Sequence, residues 1–261
     1  FKNNNFSLLK LIQGHKEPAE WISQDTNINL VSMTGSTEMG RKLGKFVTER
    51  FGKSIMELGG NNAMIVTPSA NMQLALQAII FSSAGTCGQR CTSLRRLFVH
   101  ESIIDDLKLK IKNHFIKLKI GNPFEEEIVV GPIISQVAFD TMQKTLQKCK
   151  NEGGKITGGE RIGMDNDNAF YVRPAIVEFN KPNDITKVET FAPILYIMPY
   201  KNLDDAIKMH NDVGQGLSSC IFSQDLLETE KFVSTNGSDC GIVNVNIGTS
   251  GAEIGGAFGG E

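Results

Sequence analysis

From about Ile28 onward, short apolar segments alternate with longer segments in which apolar residues recur every three or four positions. The short segments have the length of buried strands, and the longer ones have the period of amphipathic helices. Strands that alternate with helices form parallel sheets, because each helix carries the chain back across a face of the sheet. The sequence therefore predicts an α/β fold.

The first expected strand is residues 29–33, and the first expected helix is residues 37–51. Further helices are expected at 70–84, from about 102, at 135–150, 203–211 and 227–233. Further strands are expected around 55 and at 64–66, 96–100, 171–178, 194–198, 219–222 and 241–246. The glycine pair 59–60 is a predicted hinge, which divides the chain into residues 1–59 and 60–261.

Composition excludes several classes of partner and site. The 27 basic and 29 acidic residues give a net charge of −2, so no broad positive field attracts a nucleic acid. No apolar run approaches the roughly 18–20 residues that a membrane span needs. The five cysteines lack zinc-site spacing, which predicts no metal and favours reduced thiols in a reducing compartment. These residues do not decide between the cytoplasm and mitochondria.

The segment from Met33 to Gly40 is the first candidate site, at a predicted strand-to-helix turn. Gly35 would allow close approach of a phosphate, Ser36 supplies a hydroxyl, and the start of a helix attracts anions. The pattern is G-S-T-x-x-G rather than the common dinucleotide fingerprint G-x-G-x-x-G. A turn with a Ser or Thr cap and no ligand explains it equally well.

Glu57 ends a predicted strand and is followed by Leu58 and two glycines. A carboxylate in such a place is a candidate general base. The alternative is an ordinary surface acid at the end of a strand.

Cys91 lies in a polar, glycine-containing loop, which is where a nucleophilic thiol would be accessible. Arg90 precedes it, and a neighbouring cation stabilises a thiolate. Cys87, in the same loop, is a competing candidate for the nucleophile. Cys220, by contrast, sits in an apolar run that is typical of a buried structural cysteine.

Four motifs together resemble the aldehyde dehydrogenases in order and separation. They are Gly35-Ser36-Thr37, Glu57-Leu58-Gly59-Gly60, Gly88-Gln89-Arg90-Cys91 and Glu189-Thr190-Phe191-Ala192-Pro193. Segments 57–63, 237–246 and 249–261 look most like the antiquitin branch of that family, which oxidises α-aminoadipic semialdehyde.

The resemblance implies an NAD-dependent oxidation of a small aldehyde, with Cys91 as nucleophile and Glu57 as the base that activates water. It implies cofactor contacts at Gly35, Ser36, Gly40, Leu58, Glu189 and Phe191. It implies substrate contacts at Arg90, Thr92, Gly251 and Ala252. Family members also form homotetramers, so the same assembly is expected here.

In that family, residues 1–59 would be the last part of a Rossmann-like cofactor domain, and residues 60–261 the catalytic domain. The family's upstream Asn and Lys motifs are absent from these residues, so we expect a chain truncated at both ends. Alternatives are an enzyme for another aldehyde such as betaine aldehyde, a thiol esterase, or a non-catalytic binding protein on the same scaffold.

Overall fold

The computed structural model describes residues 9–163 and 168–251. The chain divides into two compact units, Phe1–Gly59 and Gly60–Glu261. None of the helices in the described residues is long and apolar enough to cross a bilayer.

The first unit is a small strand-helix-strand motif preceded by a short helix. Its elements are α1 Glu17–Gln24, β1 Leu30–Thr34, α2 Thr37–Glu49 and β2 Lys53–Glu57. Strands β1 and β2 are parallel, and Thr34 at the end of β1 pairs with Glu57 at the end of β2. Helix α2 buries Leu43 and Val47. Helix α1 was not expected, since only eight residues carry too little of a periodic pattern.

The second unit contains a seven-stranded sheet in the order β5-β6-β7-β4-β3-β8-β9. Its strands are β3 Ala63–Val66, β4 Arg96–His100, β5 Lys155–Thr157, β6 Ala175–Glu178, β7 Ile194–Tyr200, β8 Ser218–Phe222 and β9 Ile242–Val245. Its α-helices are α3 Met72–Ala84, α4 Ile104–Lys117, α5 Gln136–Asn151, α6 Leu203–Asn211 and α7 Leu226–Val233. Among the strand pairs of this sheet in the described residues, β5–β6 alone is antiparallel, which confirms the α/β class.

Side-chain caps fix where four helices of this unit begin. Asn71, Ser135, Asn202 and Asp225 each accept hydrogen bonds from backbone N–H groups of the first helical turn. Those N–H groups have no partner inside the helix, so a capping side chain stabilises each start by about 1 kcal/mol.

One predicted strand has the wrong start, and one strand was not predicted. The strand predicted at 171–178 begins only at Ala175, because Pro174 has no N–H to donate and breaks the ladder. The antiparallel strand β5 was missed, since its three residues are too few to show alternation.

The order of the strands brings two of the predicted motifs together at one edge of the sheet. Strands β4 and β7 are parallel neighbours, with Arg96 opposite Tyr196. The segments that lead into two parallel neighbours meet at the same edge of a sheet. The cysteine loop precedes β4, and residues 189–193 precede β7, so the two motifs are brought together.

Candidate active site

The loop that carries Cys91 begins with an unusual backbone. Thr86, Cys87 and Gly88 all adopt left-handed conformations, with φ values of 53°, 54° and 64°. For a residue with a side chain this costs roughly 1–2 kcal/mol. Strain of this kind persists only where surrounding contacts hold it, and it is frequent at functional sites.

Gly88 lets the cysteine loop touch the chain that leads into β7. A Cβ at Gly88 would lie 2.6 Å from both the carbonyl carbon and the oxygen of Ala192. No side chain fits at that distance, so the close approach of the two backbones requires glycine.

Asn62 clamps the backbone of Cys91. Its side-chain amide donates to the carbonyl oxygens of Cys91 at 2.7 Å and Ser93 at 2.9 Å. Its Oδ1 accepts from the backbone N–H of Ser218 at 2.9 Å. Asn62 is buried, so these bonds are protected from water and fix the loop to β3 and β8.

Arg95 joins the cysteine loop to the segment 189–193. One terminal nitrogen donates to the carbonyls of Gly88 at 2.9 Å and Ala192 at 3.1 Å. The other lies 3.4 Å from both the Arg90 carbonyl and Oε1 of Glu189. The guanidinium also stacks over Phe191, 5.4 Å from the ring centre. Burial raises the pKa of Glu189, and the charge of Arg95 opposes that shift.

The side chain of Arg90 has partners of its own among the described residues. The Arg90 guanidinium donates to Thr86 Oγ1 at 2.7 Å and lies over the Phe81 ring, 4.9 Å from its centre. Stabilisation of the Cys91 thiolate by Arg90 therefore stays a prediction.

Cys87 is a poor candidate for the nucleophile. It is buried, and burial raises the pKa of its thiol to about 12. Burial likewise raises the pKa of Cys149, Cys220 and Cys240. Cys91 is partly exposed, and no acceptor among the described residues takes its backbone N–H.

A mainly apolar cavity of about 630 Å³ lies beside the loop. Its lining includes Leu76, Ile80, Phe81, Thr86 and Arg90. Arg90 is therefore a cation at the wall of an apolar cavity, one residue before Cys91.

The segment 248–251 contacts the cysteine loop at Thr92. Thr249 Oγ1 donates to the Thr92 carbonyl at 2.8 Å, and Ser250 Oγ lies 3.4 Å from the same oxygen. Asn244 Nδ2 donates to the Gly251 carbonyl at 2.7 Å. Thr92 and Gly251 are thus on neighbouring segments, whereas Ala252 lies outside the described residues.

In the first unit, the turn after β1 and the end of β2 are joined by a hydrogen bond. The N–H of Gly35 donates to the Glu57 carbonyl at 3.1 Å. Ser36 Oγ accepts from the N–H of Met39 at 3.2 Å and so caps α2. No acceptor among the described residues takes the N–H groups of Thr37 or Glu38. These free donors at a helix start fit a phosphate of a dinucleotide.

Gly40 and Leu58 pack against each other in the same unit. A Cβ at Gly40 would lie 2.5 Å from Leu58 Cδ1, so this pair lets α2 lie close to the end of β2. The visible role of Gly40 is therefore packing beneath the turn. Gly35 and Ser36 are exposed, and Glu57 is partly exposed.

Residues 6–261 match the family whose description is "Aldehyde dehydrogenase family". The chain belongs to the aldehyde dehydrogenase family.

Two relatives confirm the resemblance to the antiquitin branch. Aldehyde dehydrogenase family 7 member A1 of Malus domestica is 48% identical over 249 residues, which are 95% of this chain and 48% of that protein. The alpha-aminoadipic semialdehyde dehydrogenase of Rattus norvegicus is 44% identical over 256 residues, which are 98% of this chain and 47% of that protein. This aldehyde dehydrogenase chain therefore spans about half the length of the relatives it matches.

The crystal structure of betaine aldehyde dehydrogenase from Staphylococcus aureus in complex with NAD+ has a similar fold. The TM-score is 0.85 at 28% identity, covering 90% of this chain and 47% of that one. The expected fold class, that of an aldehyde dehydrogenase, is thereby confirmed.

Reasoning from sequence missed two residues of this aldehyde dehydrogenase site, Asn62 and Arg95. Asn62 had a local signal, because it follows the glycine pair after Glu57. Arg95 had none, since its partner Ala192 is 97 residues away along the chain.

Proposed function

We propose that this chain belongs to an enzyme that oxidises a small aldehyde to a carboxylate with NAD, using Cys91 as nucleophile and Glu57 as base. One observation carries the proposal. Cys91 is partly exposed, in a loop whose backbone accepts hydrogen bonds from Asn62 and Arg95. Its backbone N–H has no acceptor among the described residues. Burial, in contrast, raises the pKa of the other four thiols.

The proposed reaction begins when the Cys91 thiolate adds to the aldehyde carbonyl carbon. The carbonyl oxygen becomes an oxyanion, which accepts a hydrogen bond from the Cys91 N–H. Loss of hydride from the carbon leaves an acyl group on the sulfur as a thioester. Glu57 then takes a proton from water, the resulting hydroxide attacks the thioester, and the carboxylate leaves as the thiol is restored.

NAD, when bound, accepts the hydride. Gly35 and Ser36 would hold its phosphates, since the turn offers the free N–H groups of Thr37 and Glu38. Glu189 would accept hydrogen bonds from ribose hydroxyls, and Phe191, which is 44% exposed, would pack beside the nicotinamide half. Gly40 and Leu58 would support the turn at Gly35 and Ser36 by packing against each other.

The substrate that these residues support best is α-aminoadipic semialdehyde. Its chain of methylene groups suits an apolar cavity, and its far carboxylate suits a guanidinium at the wall, as Arg90 provides. That carboxylate is part of the amino acid end of the molecule, and the backbone around Gly251 and Ala252, together with Thr92, would bind the same end. The relative from Rattus norvegicus, whose name states this substrate, adds support.

The test is NADH formation by the full-length gene product with α-aminoadipic semialdehyde and NAD+. We expect turnover, its loss in Cys91→Ala, and its retention in the matched control Cys87→Ala. Absence of NADH with every aldehyde tried would reject the proposed reaction. Turnover of simple aliphatic aldehydes or of betaine aldehyde, but not of the semialdehyde, would reject the substrate alone.

A further inference from the structure

Side chains from distant segments hold three consecutive backbone carbonyls, those of Cys91, Thr92 and Ser93. The side-chain amide of Asn62 donates to the first and the third, at 2.7 and 2.9 Å. The hydroxyl of Thr249 donates to the second at 2.8 Å, although it lies 157 residues away along the chain. Because Asn62 fixes the backbone on both sides of Thr92, the Thr249 bond adds little to the placing of Cys91. Its main effect is to hold Thr249 and its neighbours against the cysteine loop.

The segment 248–251 is a tight turn whose shape is fixed from β9. The N–H of Gly251 donates to the Gly248 carbonyl at 2.9 Å, which closes the turn. The side-chain amide of Asn244 donates to the carbonyls of Gly248 at 3.1 Å and Gly251 at 2.7 Å. Asn244 belongs to β9, so the sheet keeps the turn in one shape where its glycines alone would allow several.

Buried hydrogen bonds connect this turn to the backbone of Cys91 by a second route. Ser218 begins β8, and its hydroxyl donates to the Thr249 carbonyl at 2.6 Å. The backbone N–H of Ser218 donates to Oδ1 of Asn62 at 2.9 Å. Thr249, Ser218 and Asn62 are all buried, so water does not compete for these bonds. The turn and the cysteine loop are therefore held at a fixed distance from each other.

Helix α3 limits the position of the turn on a further side. A Cβ at Gly248 would lie 2.5 Å from Ser82 Oγ and 3.4 Å from Ala78 Cβ, so Gly248 lies directly against the helix. Ile80 and Phe81, on the same helix, line the cavity that would receive the aldehyde. The turn is therefore packed against one wall of the proposed substrate site.

We propose that Thr249 is a positioning residue, which fixes the distance between Cys91 and the turn 248–251 and thereby the length of the aldehyde that the enzyme accepts. The inference rests on the proposed function, in which Cys91 attacks the aldehyde carbon and the backbone around Gly251 binds the amino acid end. When both ends are held, only one number of methylene groups brings the aldehyde carbon to the sulfur. One methylene group more or less in such a site changes kcat/KM by roughly 10–200-fold.

The test compares Thr249→Val, which keeps the size of the side chain but removes its hydroxyl, with Thr249→Ser, which keeps the hydroxyl. Both variants are made in the full-length gene product. The constants kcat and KM are measured with NAD+ and with α-aminoadipic semialdehyde, its homologue shorter by a methylene group, or propanal.

We expect Thr249→Val to raise KM for α-aminoadipic semialdehyde about tenfold or more, because the turn no longer has a fixed position. The preference for this semialdehyde over its shorter homologue should fall as well. Propanal has no amino acid end, and Asn62 still holds the cysteine loop, so kcat/KM for propanal should be nearly unchanged. Thr249→Ser should keep KM and the preference close to the wild-type values.

The matched control is Thr67→Val. Thr67 is an equally buried threonine that follows β3, at the opposite edge of the sheet from Asn62, and its hydroxyl pairs with Ser69 Oγ at 3.0 Å. This change should destabilise the protein without altering KM or the preference. If Thr249→Val unfolds, Ser218→Ala decides, because it removes the hydroxyl that binds the Thr249 carbonyl but keeps the backbone N–H that pairs with Asn62. It should raise KM for α-aminoadipic semialdehyde and leave propanal oxidation nearly unchanged.

A folded Thr249→Val with unchanged KM or unchanged preference would overturn the inference. So would an equal loss of kcat/KM with propanal, or a Thr249→Ser that behaves like Thr249→Val. In each of these cases the wild-type enzyme still oxidises α-aminoadipic semialdehyde, so the proposed function stands. A wild-type enzyme that does not oxidise this semialdehyde would reject the proposed substrate, and the inference with it.

Discussion

The side-chain amide of Asn62 donates to the backbone carbonyl of Cys91 at 2.7 Å. Asn62 directly precedes β3, and the cysteine loop precedes β4, the neighbouring parallel strand. A side chain at the edge of the sheet therefore fixes the backbone of the proposed nucleophile. The position of Cys91 depends on the order of strands, and not on the loop sequence alone.

Asn62→Ala should destabilise the protein by about 2–4 kcal/mol, because three backbone groups, two of them in buried hydrogen bonds, lose the side chain that pairs with them. Denaturant unfolding measures the loss. The control is Asn236→Ala, an exposed position at which the change should cost less than about 0.5 kcal/mol. Equal unfolding midpoints for the two variants would contradict the assigned role of Asn62.

Gly88→Ala and Gly153→Ala separate backbone strain from steric overlap. Both glycines have positive φ, 64° and 82°, but a Cβ at Gly153 meets nothing within 4 Å. Gly153→Ala, the control, should therefore lower the free energy of unfolding only by the roughly 1–2 kcal/mol of a left-handed residue. Gly88→Ala should cost about 1–3 kcal/mol more, from overlap with Ala192. If chemical denaturation gives both variants the same stability, the loop does not need this close approach.

Glu57→Gln tests the proposed base. The change keeps the shape of the side chain but removes its ability to take a proton from water, so hydrolysis of the thioester should become slow. Rapid-mixing kinetics should show a burst of NADH close to one per active site, followed by turnover reduced about 100-fold or more. Glu49→Gln, on the exposed end of α2, should behave as wild type. Slow turnover without a burst would assign Glu57 to an earlier step.

His210 predicts a pH dependence of stability. It is fully buried, and burial, reinforced by Arg96, lowers its pKa from 6.5 to about 3. Between those values the unfolded chain binds the proton and the folded protein does not, so stability is lost as pH falls below 6.5. Between pH 7 and pH 5, the neutral His210 should therefore reduce the free energy of unfolding by about 2 kcal/mol.

His210→Gln should abolish that part of the pH dependence, and His114→Gln, at an exposed position on α4, should retain it. Unfolding free energies at the two pH values give the comparison. An unaltered pH dependence in His210→Gln would show that the buried imidazole does not carry the effect.

Sequence patterns predicted the fold where the pattern is long. The bounds of α6, Leu203–Asn211, were predicted without error, and α3 began two residues later than expected. Local patterns could not predict the left-handed turn at Thr86 and Cys87, because neither residue type favours that conformation. Such strain is imposed by contacts with distant segments, here the chain at Ala192.

The candidate site was predicted in part, for a similar reason. Cys91 and Glu57 were predicted because short motifs carry them, and their roles remain predictions. The charge near the thiol was assigned to Arg90, its neighbour in sequence, but the fold pairs that side chain with Thr86, and it directs Arg95 to the carbonyls of Gly88 and Ala192. Which of two nearby arginines faces a given atom depends on strand register, which a local pattern does not encode.

Alkylation of the five thiols by iodoacetamide at pH 7, followed by peptide mass spectrometry, tests the central role of Cys91 most directly. At that pH, Cys87, with its pKa near 12, carries about a thousandfold less thiolate than an ordinary thiol. We predict that Cys91 reacts at least about tenfold faster than each of the other four. Reaction of Cys87 or Cys240 first, or of all five at similar rates, would contradict the assignment of Cys91 as the nucleophile.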